Sequence, residues 1–372
     1  MGRATFPLLI LITVALFIAT HNTVSMVFKH RGEMSDQKAM SDMDGNPAGG
    51  VDTYDPLIKM PRSFKNSKKK KKRMFHTVMT ASSVPYNNWQ SRVMYYWYKQ
   101  QKEKAGSEMG GFTRLLHTGK ADHLMDEIPT YVVQPLPEGT DKGFVVLNRP
   151  WAFVQWFRDV EIEEDYVFMA EPDHIIIRPI PNLSTGELPA AFPFFYIDPK
   201  QFQKTLRRWY PESKGPITNI DPIGNSPVII KKSLLKEIAP TWMNVSLEMK
   251  NDPQADKDFG WVLEMYGYAV ASAMHGVQHV LRKDFMLQPP YDTKLEKKFI
   301  IHYTYGCDYT LKGEPMFGKF GEWRFDKRSY GQGAPPRNLT MPPKGVHESV
   351  VTLVRMINEA TANIPNWKEG ER

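Results

Sequence analysis

Apolar and polar positions fall in alternating blocks along most of this chain, and the blocks read strand, helix, strand, helix. Phe75 to Ala81 predicts a strand, and Trp89 to Tyr98, aromatic-rich after a turn at Pro85, predicts a helix. Thr130 to Gln134 reads as a short strand ended by Pro135. Pro150, suited to a first helical turn, opens a helix through Trp156 to Arg158. Tyr166 to Ala170 predicts a buried strand, with a second apolar run at Ile175 to Ile177. Phe192 to Ile197 and, after a turn at Asp221 to Pro227, Val228 to Ile230 predict two more. Ser233 is placed to cap a helix that stops before Pro240. Asp258 to His275 predicts a longer helix, packed through Val262, Met265, Tyr266, Ala269 and Ala273. Phe299 to Tyr303 is a late strand. This order predicts an α/β fold with a mainly parallel sheet flanked by helices.

Composition divides the chain before that domain begins. Phe6 to Ala19 is almost continuously apolar, and the stretch to Phe28 is just long enough to span a bilayer as a signal anchor. A cleaved signal peptide is the alternative. Arg3 on one side and Lys29 and Arg31 on the other do not fix its orientation. Residues 29–73 are polar and aperiodic, as expected of a flexible stem, and end in six consecutive cations, Lys68 to Arg73. Removing those six from the formal net charge of +7 leaves +1, so the basic character belongs to this tract and not to a nucleic-acid-binding face. The remainder, 74–372, has the length and aromatic content of one large domain or two fused subdomains. Cys307 is the only cysteine, which excludes an intramolecular disulfide. Asn182, Asn244 and Asn338 begin sequons.

The strongest chemical signal is Glu171-Pro-Asp173, two acids at the end of the Tyr166 to Ala170 strand. Carboxylates at the carboxyl end of a buried strand lie on the edge where open α/β sheets hold ligands, and they offer hard oxygen atoms to a divalent cation. An ordinary acidic strand cap is the bland alternative. Glu264 falls off the packing stripe of its helix, so it is either solvated or a cleft-facing carboxylate that binds an acceptor or manages its proton. His302 closes a strand, where imidazole is more often structural but also suits a transition metal. Glu322 to Arg328 interleaves cations with aromatics, and Lys327 and Arg328 are placed to neutralise a diphosphate.

Several long strings in one order resemble the plant hydroxyproline O-arabinosyltransferases. They are FVVLNRPWAFVQW (144–156), MAEPDHIIIRPIP (169–181), AFPFFYI (191–197), IDPIGNSPVII (220–230), APTWMNVSL (239–247), GWVLEMY (260–266), FIIHYTYGCD (299–308) and GEWRFDKRSY (321–330). The resemblance implies a type II Golgi membrane enzyme with a luminal GT-A-like glycosyltransferase domain. It further implies transfer of L-arabinofuranose from UDP-β-L-arabinofuranose to 4-hydroxyproline in secreted proteins and peptides, such as extensin-like wall glycoproteins and signalling peptides. By looser comparison with GT-A enzymes, Asp173 is the expected metal ligand, with Glu171 and His302 beside it and manganese the expected ion. Glu264 matches the acid near the acceptor, and Tyr86 lies where the nucleotide base binds. On this reading Asp173→Asn nearly abolishes activity and barely changes stability without metal. Dimerisation through the stem is left open. The rival readings are another UDP-sugar donor, a metal-dependent phosphohydrolase, and a non-catalytic glycan- or peptide-binding module.

Overall fold

The protein is described by a computed structural model over residues 73–368. The anchor and all of the stem except Arg73 lie outside these residues. Twelve strands and seven α-helices are described, and the strands form three sheets. In chain order the strands up to the site are β1 (Phe75–Ala81), β2 (Met109–Leu116), β3 (Thr130–Val132), β4 (Tyr166–Ala170) and β5 (His174–Ile176). They are followed by β6 (Ala190–Pro193), β7 (Ile223–Lys231), β8 (Val280–Leu281), β9 (Met286–Leu287) and β10 (Ile300–His302). The main sheet has the order β3-β2-β1-β4-β7-β6-β8, in which only β7 runs antiparallel to its neighbours. Every residue of β1 and β4 is buried, as a sheet covered on both faces requires.

Helix α1 (Pro85–Lys102) follows β1, and α2 (Asn148–Asp159) precedes β4. After the short α3 (Gln203–Leu206) come α4 (Lys232–Asn251), α5 (Pro253–Phe259), α6 (Leu263–Met274) and α7 (Glu348–Asn363). The group α2, α4 and α6 packs together in the main core. A second core gathers around α7, β9 and β10. Helix α1 joins the two, because Met94 and Tyr98 belong to the first core and Trp89, Val93 and Trp97 to the second.

The structure corrects four expectations. Helix α4 runs straight through Pro240, and its N-cap is Lys231, not Ser233. Proline costs a helix interior about 3 kcal/mol. Buried Trp242, Val245 and Met249 of the same helix offset that cost by packing. The predicted 258–275 helix breaks at Gly260, whose φ of 49° ends α5 and lets the chain turn into α6. Strand β6 ends at Pro193, so the aromatic run after it is loop. Finally, Arg73 belongs to the folded domain: its guanidinium donates to the Ser184 carbonyl at 2.9 Å and to the Tyr166 hydroxyl at 2.9 Å.

Candidate active site

The carboxyl ends of β1 and β4, neighbours in the sheet, open a cleft of about 550 Å³, open solvent at its mouth included. Its walls come from Thr80 at the end of β1, Ser82 just after it, Tyr86 in the first turn of α1, and His117 after β2. Arg149 in the first turn of α2, Glu171 and Asp173 after β4, and Lys327 complete them. This is the edge at which open α/β sheets place their ligands.

Asp173 is almost fully buried, and its Oδ2 takes contacts from both His302 Nε2, at 3.0 Å, and Lys327 Nζ. Sheet register explains the first contact. Strand β10 pairs antiparallel with β5 so that His302 lies opposite His174, and the two rings meet edge to face at 4.8 Å. Burial alone would push the Asp173 carboxyl up, but the charges of His302 and Lys327 hold it well below the usual carboxylate range. Burial and the neighbouring His302 push the His174 imidazole down.

One ligand atom from each of Asp173, His174 and His302 lies within 4.8 Å of the other two. His174 Nε2 and His302 Nδ1 are buried without a hydrogen-bond partner. Buried polar atoms are normally paired, so two orphaned ring nitrogens beside a carboxylate mark a place built for something else to bind. One oxygen ligand with two imidazoles suits a divalent transition ion, so the residues present fit a metal. Lys327 stands on the carboxylate and supplies a positive charge there.

Glu171 is not part of this cluster. Its Oε1 faces Arg149 Nη1 at 3.4 Å, and the guanidinium also donates to Glu264 at 3.1 Å and to the Thr80 hydroxyl at 3.1 Å. Glu264 differs from expectation more sharply. It is 2% exposed, with one oxygen on Arg149 and the other unpartnered, and it does not line the cleft. Burial pushes its carboxyl up to about 7 against the pull of Arg149. Tyr86 lies against the ammonium of Lys327, 5.8 Å from ring centre to nitrogen. Arg328 turns away, bonding the Asp326 carboxylate at 3.1 Å and the Thr304 carbonyl at 2.9 Å.

Sequence reasoning missed His174, Arg149 and His117. His174 stood beside Asp173 but was hidden as the first residue of an apolar run. Arg149 and His117 carry no local pattern, and only the fold brings them to the cleft. His117 is held neutral there, its imidazole lowered to about 4 by burial and by Arg149.

Residues 75–281 match the N-terminal domain of the hydroxyproline O-arabinosyltransferase family, and residues 299–368 match its C-terminal domain. The chain belongs to the hydroxyproline O-arabinosyltransferase family. Hydroxyproline O-arabinosyltransferase RDN2 of Medicago truncatula is 63% identical over 99% of both chains, and hydroxyproline O-arabinosyltransferase 3 of Arabidopsis thaliana is 60% identical over the same share. A peptidyl serine alpha-galactosyltransferase of Arabidopsis thaliana is 25% identical over 68% of this chain and 31% of its own. Mapped onto this arabinosyltransferase-family chain, the N-terminal match contains Arg149, Asp173, His174 and Glu264, and the C-terminal match contributes His302 and Lys327.

Proposed function

We propose that this protein transfers L-arabinofuranose from UDP-β-L-arabinofuranose to the hydroxyl of 4-hydroxyproline in secreted proteins and peptides. Extensin-like wall glycoproteins and signalling peptides are the acceptors we infer. The observation that carries this reading is membership of the family along nearly the whole chain, joined to a cleft lined by Asp173, Lys327 and Arg149, with His174 and His302 clustered on Asp173.

Asp173, His174 and His302 would hold a divalent ion, manganese in our reading, which when bound offsets the charge that develops on departing UDP. Lys327 and Arg149 add fixed positive charge along the same wall, and it acts more strongly in a partly buried cleft than in water. Tyr86, in the first turn of α1, bounds the side on which the base would lie. Glu264 accepts from Arg149 and is buried, which supports a role in holding Arg149 over attack on the sugar. We therefore favour retention by same-face attack. The hydroxyproline oxygen bonds to the anomeric carbon as the bond to UDP breaks, and the acceptor proton passes to the departing phosphate oxygen.

We place the enzyme in the Golgi membrane, held by the apolar stretch from Phe6 to Phe28 as a signal anchor with the catalytic domain luminal. Among the described residues no helix is long and apolar enough to cross a membrane. The peptidyl serine alpha-galactosyltransferase relative favours a second reading with a UDP-galactose donor.

The two readings separate in one experiment. The protein is incubated with manganese, a hydroxyproline peptide and either UDP-arabinofuranose or UDP-galactose, and the peptide is weighed by mass spectrometry. A pentose adduct that disappears with chelator is the expected result. A hexose adduct alone selects the second donor, and full transfer in excess chelator removes the metal from the account.

A further inference from the structure

The sequons at Asn182, Asn244 and Asn338 have no part in the cleft, and the fold treats the three differently. Such an asparagine accepts a glycan when its amide and the hydroxyl two residues later are presented together. The folded protein must then leave room for a bulky, hydrated group at its surface.

Asn338-Leu-Thr340, in the loop before α7, meets both conditions. Burial alternates along it: Asn338 is exposed, Leu339 is buried in the second core, and Thr340 is exposed. Amide and hydroxyl therefore stand outside while the residue between them anchors the loop. The anchoring is specific. The Leu339 N–H donates to the Asn358 side-chain oxygen at 2.8 Å, and the Asn358 amide donates back to the Leu339 carbonyl at 2.9 Å. The Thr361 hydroxyl donates to the Arg337 carbonyl at 3.1 Å, and the Trp323 indole to the Thr340 carbonyl at 3.0 Å. These bonds take backbone groups of the neighbours. Among the described residues the Asn338 side chain itself has no hydrogen-bond partner, so a glycan there would displace no contact of the fold.

The other two sequons fail on geometry. The Asn182 amide donates to the Arg73 carbonyl at 3.0 Å, and its oxygen accepts from the Ser184 N–H at 3.1 Å and from the Ser184 hydroxyl. Ser184 is buried and holds the Arg73 guanidinium, so this sequon is spent on closing the start of the domain. Asn244 is exposed on α4, but Ser246 is completely buried and packed against Gly267. Residues two apart on a helix point to different faces, so amide and hydroxyl cannot meet one partner there.

We propose that Asn338 is a site of N-linked glycosylation and that Asn182 and Asn244 stay bare. This rests on the luminal placement of the domain. The co-reactant is an oligosaccharide carried on a polyprenyl diphosphate, and a transferase of the host cell joins the two. The Asn338 amide nitrogen bonds to the anomeric carbon of the first sugar as the bond from that carbon to the diphosphate oxygen breaks. The amide gives up one proton, and the lipid diphosphate leaves with the electron pair.

The test reads occupancy directly. The full chain is expressed in plant cells and purified from sealed microsomes. A peptide N-glycosidase in heavy-oxygen water then removes any glycan and leaves a labelled acid at each modified asparagine, which mass spectrometry locates. Label is expected at position 338 and at neither of the other two. On a gel, glycosidase should increase the mobility of the wild type, and Asn338→Gln and Thr340→Ala should lose that shift. Thr340→Ser, which keeps the hydroxyl, should retain it, as should Asn182→Gln and Asn244→Gln.

Unlabelled Asn338 in chains that added protease cannot reach inside sealed microsomes overturns the proposal. So does a shift that survives Asn338→Gln, or label at Asn182 or Asn244. Digestion of the catalytic domain in sealed microsomes would overturn the luminal placement itself, and the glycan with it.

Discussion

Two histidine–carboxylate pairs stand at opposite ends of the main sheet and look alike in distance. At one end His76 Nδ1 meets Glu164 at 3.1 Å, and at the other His302 Nε2 meets Asp173 at 3.0 Å. Their surroundings differ. The second nitrogen of His76 is bonded to the Thr113 hydroxyl at 2.8 Å, and Glu164 also accepts from the Gly111 backbone N–H. Around Asp173, by contrast, His302 Nδ1, His174 Nε2 and the Tyr303 hydroxyl have no hydrogen-bond partner. A closed network can only stabilise; an open one at the carboxyl ends of parallel strands is where a ligand completes the bonding. The shared motif is uninformative by itself, and its unsatisfied valences carry the functional signal.

The comparison can be broken most forcefully at Asp173. Asp173→Asn should lower transfer at least about a hundredfold, because it removes the one carboxylate of the cluster. The structure also revises the expected cost to the fold. Lys327 is buried against this carboxylate, so the variant strands a cation and should lose on the order of 3 kcal/mol in urea denaturation without metal. Wild-type turnover in this variant would make the two ends of the sheet equivalent.

A smaller effect sharpens the contrast through pH. The Glu264 carboxyl near the cleft sits at about 7, above its ordinary value of 4.5, so the folded state holds an extra proton between those values. Its stabilising contribution is complete below pH 4.5 and is lost as pH rises through 7, a fall of about 3 kcal/mol at most. Glu264→Gln should flatten that slope when stability is measured from pH 5 to 8. A slope that survives the substitution assigns it to other groups.

Glu164 should show the opposite sign with the smallest effect. Burial would raise its carboxyl, but bonds from His76 and the Gly111 N–H bring it down to about 2. Its contribution is present above pH 4.5 and disappears as pH falls towards 2. After allowance for nearby solvent, Glu164→Gln should cost about 1 kcal/mol at neutral pH. Transfer per folded molecule should not change, and a fall in kcat at full folding would show that this end also serves the reaction.

Much of this contrast was legible in the sequence at one end only. Tyr166 to Ala170 is a strand over the expected residues, and Asp173 lies at the cleft, because five consecutive apolar residues leave the chain few alternatives. Strand β2 escaped notice because Gly110 and Gly111 break its pattern. The fold requires both: a side-chain carbon at Gly111 would come within 2.5 Å of His76 Nδ1, and one at Gly110 would strike Glu164. Arg149 and His174 were invisible as site residues for a different reason. Their roles depend on register and on partners far along the chain, as with Arg149 and Glu264, 115 residues apart.

The same distances give the enzyme a sense of completion. Asp173 waits 129 residues for His302 and 154 for Lys327. A polypeptide still emerging from the ribosome thus lacks half of its reactive cluster until Lys327 has been added. A fragment released before that point is expected to be inert, because Asp173 would lack both of its long-range partners.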